Sequence, residues 1–335
     1  MRAPDFWWQE KPSLLARMLS PVGALYGAIT AHRMARVGTD AGLPVICIGN
    51  LVVGGQGKTP VVATLARQLQ AQGQRPFALA RGYGGKLGGP LRVDPALHTA
   101  QDVGDEPRLL ADALPVIISA DRVAGARLAK EQGATHVLMD DGLQNPSLVK
   151  SLRLAVVDGM SGFGNGLCLP AGPLRAPVLR QWPHVDALVL IGDGAAGARA
   201  ALQAQAAGKP VLAARLVPEA GIASSLAGQR VLALSGIGRP AKFEASLAET
   251  GAIIVASQRF GDHHAYSAND VAGTLTEAST HAAQIVTTGK DWIKLAPLWP
   301  AAERSRVTVL PVTLVFEAPH ALADLLERLR GGHRA

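Results

Sequence analysis

Short apolar runs alternate with amphipathic stretches through the first part of this chain. The apolar runs are too short for helices, and the stretches between them have helical spacing. Apolar strands separated by helices are typical of a parallel sheet that is covered on both faces. The pattern therefore predicts an α/β fold with strands at 44–49, 76–80, 115–120, 136–140, 152–158 and 186–192, and helices at 58–73, 106–114 and 121–132.

A second series of the same kind begins after about residue 228 and indicates a smaller α/β domain. The Ala- and Gly-rich stretch 193–228 has no clear period and is interpreted as a connecting segment. We therefore predict an N-terminal helix at 1–40, a main domain at 41–192, the connecting segment 193–228 and a closing domain at 229–335. In the last of these, strands are expected at 230–238, 252–257, 284–288 and 306–316, and helices at 239–250, from Ser267, and at 319–330.

The N-terminal segment is apolar, basic and rich in tryptophan. Its least polar run, 18–31, has only 14 residues, whereas a bilayer-spanning helix needs about 20 apolar residues. No acidic residue occurs between Lys11 and Thr39. Tryptophans beside a basic, apolar helix are typical of a membrane interface, but a helix packed on the protein's own core has the same pattern. Both interpretations remain open at this point.

Composition and charge narrow the class of protein. Hydrophobic residues make up 48% and charged residues 18%, which is typical of a globular protein. The excess of 33 Lys and Arg over 26 Asp and Glu suits an acidic partner such as a nucleotide or an anionic membrane. No stretch has the aromatic and basic residues of a nucleic-acid platform, so no nucleic-acid partner is expected. The two cysteines are expected to be free thiols.

The sequence "CIGNLVVGGQGKTP" places a glycine-rich turn between a predicted strand and a predicted helix. In such a turn, successive backbone N–H groups at a helix N-terminus bind phosphate oxygens. Val52 stands where the usual pattern has its first glycine, and an ordinary strand-to-helix loop is the alternative. We predict a phosphate loop that binds ATP through Val52, Val53, Gly54, Gly55, Gln56, Gly57, Lys58 and Thr59. Lys58 is expected to reach the phosphates, and Thr59 the Mg²⁺.

Two adjacent carboxylates, Asp140 and Asp141, follow another apolar strand directly. Adjacent carboxylates repel each other unless a cation lies nearby, and a phosphate loop is expected to have a metal-side carboxylate at a strand end. An Asp-Gly turn alone is the structural alternative. With the phosphate loop upstream, we predict a Mg²⁺ site at Thr59, Asp140 and Asp141.

Three further stretches contain candidate chemistry. Asp105, in "GDEP", is either a helix cap or a general base that accepts a proton from an attacking hydroxyl. His263, in "GDHHAYS", is either a surface residue or a catalytic partner, and the histidines there lack the further ligands of a metal site. The loop 162–177 is long and rich in glycine and proline, which is typical of functional loops as well as of rigid connectors.

Taken together, seven motifs resemble those of the tetraacyldisaccharide 4′-kinase family, the lipid A 4′-kinases of Gram-negative bacteria. They occur in the same order and extend over most of the chain: GNLVVGGQGKTP, RGYGG, GDEP, MDDGLQN, GNGLCLPAGPLR, GDHHAYS and TTGKDWIKL. The resemblance implies a phosphate-loop α/β kinase with a smaller α/β domain. It also implies transfer of the γ-phosphate of ATP, with Mg²⁺, to the 4′-hydroxyl of tetraacyldisaccharide 1-phosphate at the cytoplasmic face of the inner membrane.

The resemblance also assigns roles to individual residues. It implies that Asp105 is the catalytic base, that His263 pairs with it, and that Lys58 contacts the nucleotide. The acceptor pocket is implied to include Tyr83, Glu106, Arg122, Gln144, Asn165 and Arg175. The N-terminal helix is then expected to dock on the membrane surface. Asn145, Ala176 and Gly289 depart from the family pattern, so the contacts of those family side chains are not carried over.

Two other functions fit the phosphate loop itself. One is a kinase for another small acceptor, and the other is a nucleotide-switched ATPase or chaperone at a membrane. Labelled ATP distinguishes these, because a glycolipid kinase transfers the label to lipid and a switch releases it as inorganic phosphate.

Overall fold

A computed structural model describes residues 3–332. Its main element is a nine-stranded sheet with the order β13-β8-β7-β6-β1-β5-β2-β4-β3, in which only the outermost pairs β13–β8 and β3–β4 are antiparallel. The strands are β1 Val45–Gly49, β2 Pro76–Ala80, β3 Leu91–Arg92, β4 Val116–Ile118, β5 His136–Asp140, β6 Leu152–Asp158, β7 Ala187–Ile191, β8 Val211–Pro218 and β13 Val312–Phe316.

A second, four-stranded sheet is wholly parallel and has the order β10-β9-β11-β12. Its strands are β9 Arg230–Ser235, β10 Ile253–Arg259, β11 Gln284–Thr287 and β12 Val307–Val309. The helices of the described chain are α1 Leu14–Met34, α2 Lys58–Ala71, α3 Ala100–Val103, α4 Asp105–Leu110, α5 Arg122–Glu131, α6 Val178–Gln181, α7 Ala195–Ala206, α8 Ala220–Leu226, α9 Pro240–Glu249, α10 Ala268–Thr280, α11 Gly289–Leu295 and α12 Pro319–Gly332.

The predicted α/β fold with a phosphate-loop sheet is confirmed. The side chains of β1 are fully buried, because helices cover both faces of the sheet and two apolar clusters fill the space beneath them. β1 lies between β5 and β6, so the loop that follows β1 is flanked by the ends of both neighbouring strands. This arrangement brings residues from distant parts of the sequence to one edge of the sheet.

The structure differs from the sequence prediction in two segments, 193–228 and 306–316. β8 lies within 193–228, which was predicted to be only a connection, yet it is a strand of the large sheet. The predicted single strand 306–316 is interrupted at Leu310 and Pro311, and its halves β12 and β13 belong to different sheets. Proline lacks the N–H that a continuous strand needs, which accounts for the break.

The chain leaves the large sheet after β8 and returns to it at β13. These two strands pair antiparallel along their length, and the whole second sheet lies between them in sequence. A backbone hydrogen bond from Glu219 to the Pro311 carbonyl, 3.0 Å long, joins the departing and returning chains. The second sheet is therefore attached by two adjacent connections.

Helix α1 is longer than the apolar run from which it was predicted. It has 21 residues and is the one described helix that is long and apolar enough to cross a membrane, a property that buried core helices and signal sequences share. It continues through Pro21, where the hydroxyl of Ser20 donates to the carbonyl of Arg17 at 2.7 Å. That carbonyl is the one deprived of its helical partner by the proline.

The two faces of α1 are reversed relative to a helix of a soluble protein. Small residues face the protein body: a Cβ added at Gly23 would lie 2.6 Å from the carbonyl oxygen of Cys168, and one at Gly27 would lie 2.7 Å from its Sγ. The outward face is an exposed apolar stripe formed by Leu15, Met18, Val22, Leu25 and Ile29. These positions repeat at helical spacing, so they form one continuous surface.

Candidate active site

The phosphate loop lies between β1 and α2, as predicted. Gly54 and Gly57 have φ values of 102° and 86°, a region that a residue with a Cβ rarely adopts. A Cβ at Gly54 or Gly55 would meet no atom within 4 Å, so the turn borders open space. The side chain of Asn50 closes the turn by donating to the carbonyl of Gly54 at 3.0 Å. Lys58 and Thr59 begin α2 directly after it.

Asp140 and Asp141 lie at the end of β5 beside this loop. Asp141 has a positive φ of 53°, and its backbone N–H donates to the Ile48 carbonyl of β1 at 2.8 Å. Lys58 Nζ lies 3.6 Å from Asp141 Oδ1. Among described residues, Oδ1 of Asp140 and Oδ1 of Asp141 are buried and have no hydrogen-bond partner. Buried oxygens without a partner are costly, and carboxylate oxygens are the ligands that Mg²⁺ prefers, so these residues fit a bound cation.

The two carboxylates differ in their electrostatic surroundings. Burial raises the pKa of Asp140 to about 6. Burial also acts to raise the pKa of Asp141, but Lys58 and Arg175 outweigh it and hold the pKa below its usual value. Asp141 is therefore ionised over a wide pH range, whereas Asp140 needs a nearby cation to be fully ionised at low pH.

Arg175 connects the carboxylates to the phosphate loop. Its guanidinium donates to Asp141 Oδ2 at 2.9 Å, to Gln144 Oε1 at 3.2 Å and to the carbonyl of Val52 at 3.3 Å. Gln144 in turn donates to the carbonyl of Asn50 at 2.8 Å. Each of these groups has a defined partner, so the network holds Arg175 in one orientation beside the loop.

Asp105 and His263 come together from different sheets. Asp105 begins α4 beside the large sheet, and His263 lies in the loop between β10 and α10 of the second sheet. His263 Nδ1 lies 3.0 Å from Asp105 Oδ2, where the ring N–H donates to the carboxylate. Lys294 Nζ lies 3.4 Å from the same oxygen. The residues are 158 positions apart in sequence, so only the fold creates this pair.

The contact between Asp105 and His263 shifts the pKa of both side chains. Burial acts to raise the pKa of Asp105, but the hydrogen bond from His263 and the charges of Lys294 and Lys290 hold it below its ordinary value. The hydrogen bond to Asp105 raises the pKa of His263. An ionised carboxylate and a charged imidazole favour each other at this distance.

Lys290 of α11 forms a second contact between the sheets. Its Nζ lies 3.0 Å from Glu106 Oε1 on α4 and 3.2 Å from Asp262 Oδ1 on its own sheet. Burial acts to lower the pKa of Lys290, but these two carboxylates outweigh it and raise the pKa. Asp105 and Glu106 are thus both engaged by basic side chains of the second sheet.

Known proteins similar to this chain include whole-length relatives. The family model described as tetraacyldisaccharide-1-P 4′-kinase matches residues 15–330. The chain is 54% identical to the tetraacyldisaccharide 4′-kinase of Methylobacterium nodulans, over 96% of this chain and 94% of that protein. It is 49% identical to the one of Bradyrhizobium sp. strain BTAi1, over 97% and 94%.

The chain belongs to the tetraacyldisaccharide 4′-kinase family. Membership confirms the family recognised in the sequence and favours a glycolipid kinase over a nucleotide-switched ATPase. A crystal structure of the family member from Aquifex aeolicus, described as an "apo" form in complex with ATP, has a TM-score of 0.71 and 27% identity, covering 94% of this chain and 99% of that one. The family fold and its phosphotransferase class therefore apply to this chain.

The predicted acceptor residues of this family member divide into two groups. Tyr83 is 76% exposed beside α3 and α4, whereas Glu106, Gln144 and Arg175 make the contacts described above. Arg122 and Asn165 are instead buried. Their assignment to the acceptor stays a prediction, as do the other predicted site residues.

The two buried residues bind backbone atoms. Arg122 donates to the carbonyls of Asp140 and Ser119, each at 3.4 Å, where strands of the large sheet end. Asn165 donates to the carbonyls of Phe6 and Ala171 at 3.3 and 3.0 Å. In this arrangement Arg122 supports the strand ends beside Asp140, and Asn165 supports the loop 162–177 against Phe6.

The three departures from the family pattern occupy structural positions. The Asn145 side chain accepts from the backbone N–H of Ser147 at 2.8 Å and closes a turn. Ala176 is fully buried. A Cβ at Gly289 would be in ordinary contact, 3.5 Å from Leu109. None of the three interrupts the contacts among Lys58, Asp141 and Arg175.

The sequence analysis did not identify several charged residues that lie near the site. Asp158 ends β6 just as Asp140 ends β5, so the same feature, an acidic residue after an apolar strand, would have identified it. Lys290 and Lys294 lie in a helix, where lysines are common on solvated faces. Arg239 and Lys242, at the start of α9, have no motif that separates them from ordinary surface residues.

Proposed function

We propose that this protein transfers the γ-phosphate of ATP to the 4′-hydroxyl of a tetraacyldisaccharide 1-phosphate. The observation that carries the proposal is the contact between Asp105 and His263 beside a phosphate loop, in a chain of this kinase family. A carboxylate held by a basic partner near the transferring phosphate suits a hydroxyl acceptor.

The nucleotide is bound by the loop from Val52 to Thr59. Backbone N–H groups around Gly54 to Gly57 cradle the phosphates at the N-terminus of α2, and Lys58 neutralises their charge. Thr59, Asp140 and Asp141 would hold Mg²⁺, which supplies charge neutralisation for the phosphoryl oxygens when bound. Arg175, which is already fixed by Asp141 and Gln144, adds a second positive charge near the phosphates.

Asp105 accepts the proton of the sugar hydroxyl. His263 and Lys294 keep its carboxylate ionised and hold it in place. General-base catalysis of this kind contributes about 10²- to 10⁴-fold to the rate, whereas positioning and charge stabilisation contribute the rest. We place the acceptor between the two sheets, in contact with Tyr83, Glu106, Gln144 and Arg175, with Arg122 and Asn165 supporting the backbone around it.

The second unit, about residues 219–311, closes over the acceptor. The chain connects it to the large sheet through β8 and β13. Its side-chain contacts with the large sheet include those of His263, Lys290 and Lys294. Closure assembles the base and excludes water, which limits wasteful hydrolysis of ATP.

The apolar helix α1 fits membrane association, and we place it on the cytoplasmic face of the inner membrane. Its small face packs on the protein while its apolar stripe is exposed, so the helix can enter the interface without leaving the body. Anionic headgroups would attract the basic residues Lys11, Arg17 and Arg33. The protein therefore binds its lipid acceptor at the membrane surface that contains this lipid.

The decisive experiment follows the label of γ-labelled ATP in detergent micelles that contain tetraacyldisaccharide 1-phosphate. Label recovered in the organic-phase glycolipid supports the proposal, and Lys58→Ala is the negative control. Label released only as inorganic phosphate, with none in lipid, would refute it.

A further inference from the structure

A buried carboxylate of the large sheet is neutralised entirely by the second unit. Asp158, at the end of β6, is 2% exposed. Its carboxylate forms an ion pair with Arg239 and accepts from Lys242 Nζ at 2.7 Å. Both cations lie at the start of α9, directly after β9. A buried carboxylate without partners is strongly unfavourable, so its burial depends on the second unit being in place.

The same residue also holds the phosphate loop. The backbone N–H of Asp158 donates to Gln56 Oε1 at 2.8 Å, and Gln56 Nε2 donates to the hydroxyl of Ser161 at 3.3 Å. Gln56 is buried and directly precedes Gly57, the left-handed residue before Lys58. The position of Gln56 therefore determines where the last turn of the loop lies.

The carboxylate of Asp158 is further fixed by its own turn. The backbone N–H of Met160 donates to Oδ1 of Asp158 at 3.0 Å. The guanidinium carbon of Arg239 lies 5.7 Å from the centre of the Trp8 ring, a cation–π contact. Burial acts to raise the pKa of Asp158, but Arg239 and Lys242 outweigh it and lower the pKa. Charge, backbone and aromatic contacts thus define a single geometry for the cluster.

We propose that Asp158, Arg239 and Lys242 form a latch that couples closure of the second unit to the conformation of the phosphate loop. The inference rests on the proposed function, and it assigns Asp158 as a positioning residue. β6 and β5 flank β1 on opposite sides, so the latch lies across the loop from the carboxylates of β5. A single contact would let the second unit pivot about it. The latch and the Asp105–His263 pair together fix its orientation.

The test compares variants in steady-state kinetics and in direct ATP binding without acceptor. Lys242→Met removes the charge but keeps the apolar stem, and its side chain is 34% exposed, so the variant is expected to fold. Asp158→Asn removes the other half of the pair. Lys242→Arg keeps the charge. Arg259→Met is the matched control, because its ion pair with Glu244 lies within the second unit, away from the large sheet.

We expect Lys242→Met and Asp158→Asn each to lower kcat/KM for ATP about tenfold or more, since hydrogen bonds to charged groups are among the stronger ones. The double variant should be no slower than the slower single variant, because Lys242→Met removes one of the two contacts that Asp158→Asn already weakens. Lys242→Arg should retain most of the rate, and Arg259→Met all of it. Hydrogen exchange of 236–242 and of the phosphate loop should rise together in Lys242→Met.

Wild-type rates in Lys242→Met, or losses in the two single variants that multiply in the double variant, would overturn the latch. Unchanged exchange of the phosphate loop in Lys242→Met would do the same. Failure of the proposed function is separable from these outcomes. If the wild-type protein transfers no phosphate to glycolipid, ATP affinity and hydrogen exchange still report whether the latch acts on the loop.

Discussion

Single side chains in this protein have their properties set by partners from distant parts of the chain. Asp105 would be an ordinary helix-start carboxylate without His263 and Lys294. Asp140 and Asp141 are neighbours in sequence, yet burial dominates one and two cations dominate the other. The environments push their pKa values apart, which is a feature of functional sites as well as of structural ion-pair networks.

Replacement of Asp105 by Asn is expected to slow turnover without weakening ATP binding. In the proposed mechanism Asp105 is the general base, and its loss should lower kcat by about 10²- to 10⁴-fold, whereas the proposed nucleotide contacts of the loop and Lys58 are unchanged. Initial rates and isothermal binding of ATP measure the two effects. A variant that keeps the wild-type kcat would remove Asp105 from the mechanism.

The same replacement should lower the pKa of His263 toward the ordinary value of about 6.5. The raised pKa comes first from the hydrogen bond to Asp105, so the charged imidazole stabilises the contact fully below its ordinary pKa. That stabilisation is lost as the pH rises through the raised pKa. NMR titration of the histidine ring protons measures this, with the His263→Gln spectrum for assignment and His98 as an internal control. An unchanged titration of His263 in Asp105→Asn would contradict the pairing.

Mg²⁺-dependent ATP affinity should increase between pH 5.5 and 7.5. Asp140 is protonated below about pH 6 in the metal-free site, and a protonated carboxyl is a poor ligand for Mg²⁺. Binding of Mg²⁺·ATP, measured at both pH values, should differ more in the wild-type protein than in Asp140→Asn, which has no carboxylate to titrate. Equal pH dependence in both proteins would exclude Asp140 from the metal site.

Among the helices and strands, α1 has the most unusual surface. Its glycines pack against the loop at Cys168, and the apolar residues that would fill the core of a soluble protein face outward. An exposed apolar surface of this continuity marks an interaction site. The packing of Gly23 and Gly27 holds the helix on the body, which favours docking of α1 in a membrane interface.

Charges placed on this stripe should abolish membrane binding and leave the fold intact. The double variant Met18→Glu/Leu25→Glu puts two carboxylates where apolar side chains enter the interface. Cosedimentation with anionic vesicles should fall to background, while activity on acceptor in detergent micelles is retained. Leu202→Glu, an equally exposed apolar position on α7, is the control and should sediment like the wild-type protein. Sedimentation of the double variant at the control's level would contradict docking through α1.

The two sheets together make the site, because neither contains all of its groups. The large sheet supplies the phosphate loop and five carboxylates, at positions 105, 106, 140, 141 and 158. The second sheet supplies His263, Lys290 and Lys294, along with the cations of α9. Opposite charges on facing edges favour one orientation of the two sheets.

Weakening the contact between the two sheets should increase transfer of the γ-phosphate to water instead of to the glycolipid. In His263→Ala, the ratio of inorganic phosphate to phosphorylated glycolipid should rise severalfold, because the site is less well closed when phosphate is transferred. Thin-layer separation of the labelled products measures the ratio. His98→Ala, at an exposed turn of the large sheet, should leave it unchanged. A slower reaction with the wild-type product ratio would show that His263 acts on the base alone.

Local sequence was sufficient for most strands of the two sheets and for the position of the glycine-rich loop, but not for β3 or for the elements within 193–228. The strand, glycine turn and helix around Gly54 to Thr59 are consecutive residues, and their pattern of apolar and small positions has one local solution. The position of Asp140 and Asp141 at the end of a strand was predictable for the same reason, and their role at a metal stays a prediction. The residues alone left Asp105 as either a helix cap or a general base, and His263 as either a surface residue or a catalytic partner. The family resemblance favoured the catalytic alternative for both.

Only the tertiary structure decided which distant residues meet. The strand 306–316 was predicted as one piece, and packing divided it between two sheets. Arg122 binds the carbonyl of Asp140 and Asn165 that of Phe6, across separations that no local period encodes. The same is true of the contacts of Asp158 with Arg239 and Lys242. Hydrophobic periodicity indicates which face of a helix or strand is buried, but it does not indicate which other element packs against that face. Which charged side chains meet across the two sheets depends on the path of the connections through space, so these contacts form only when the chain has folded.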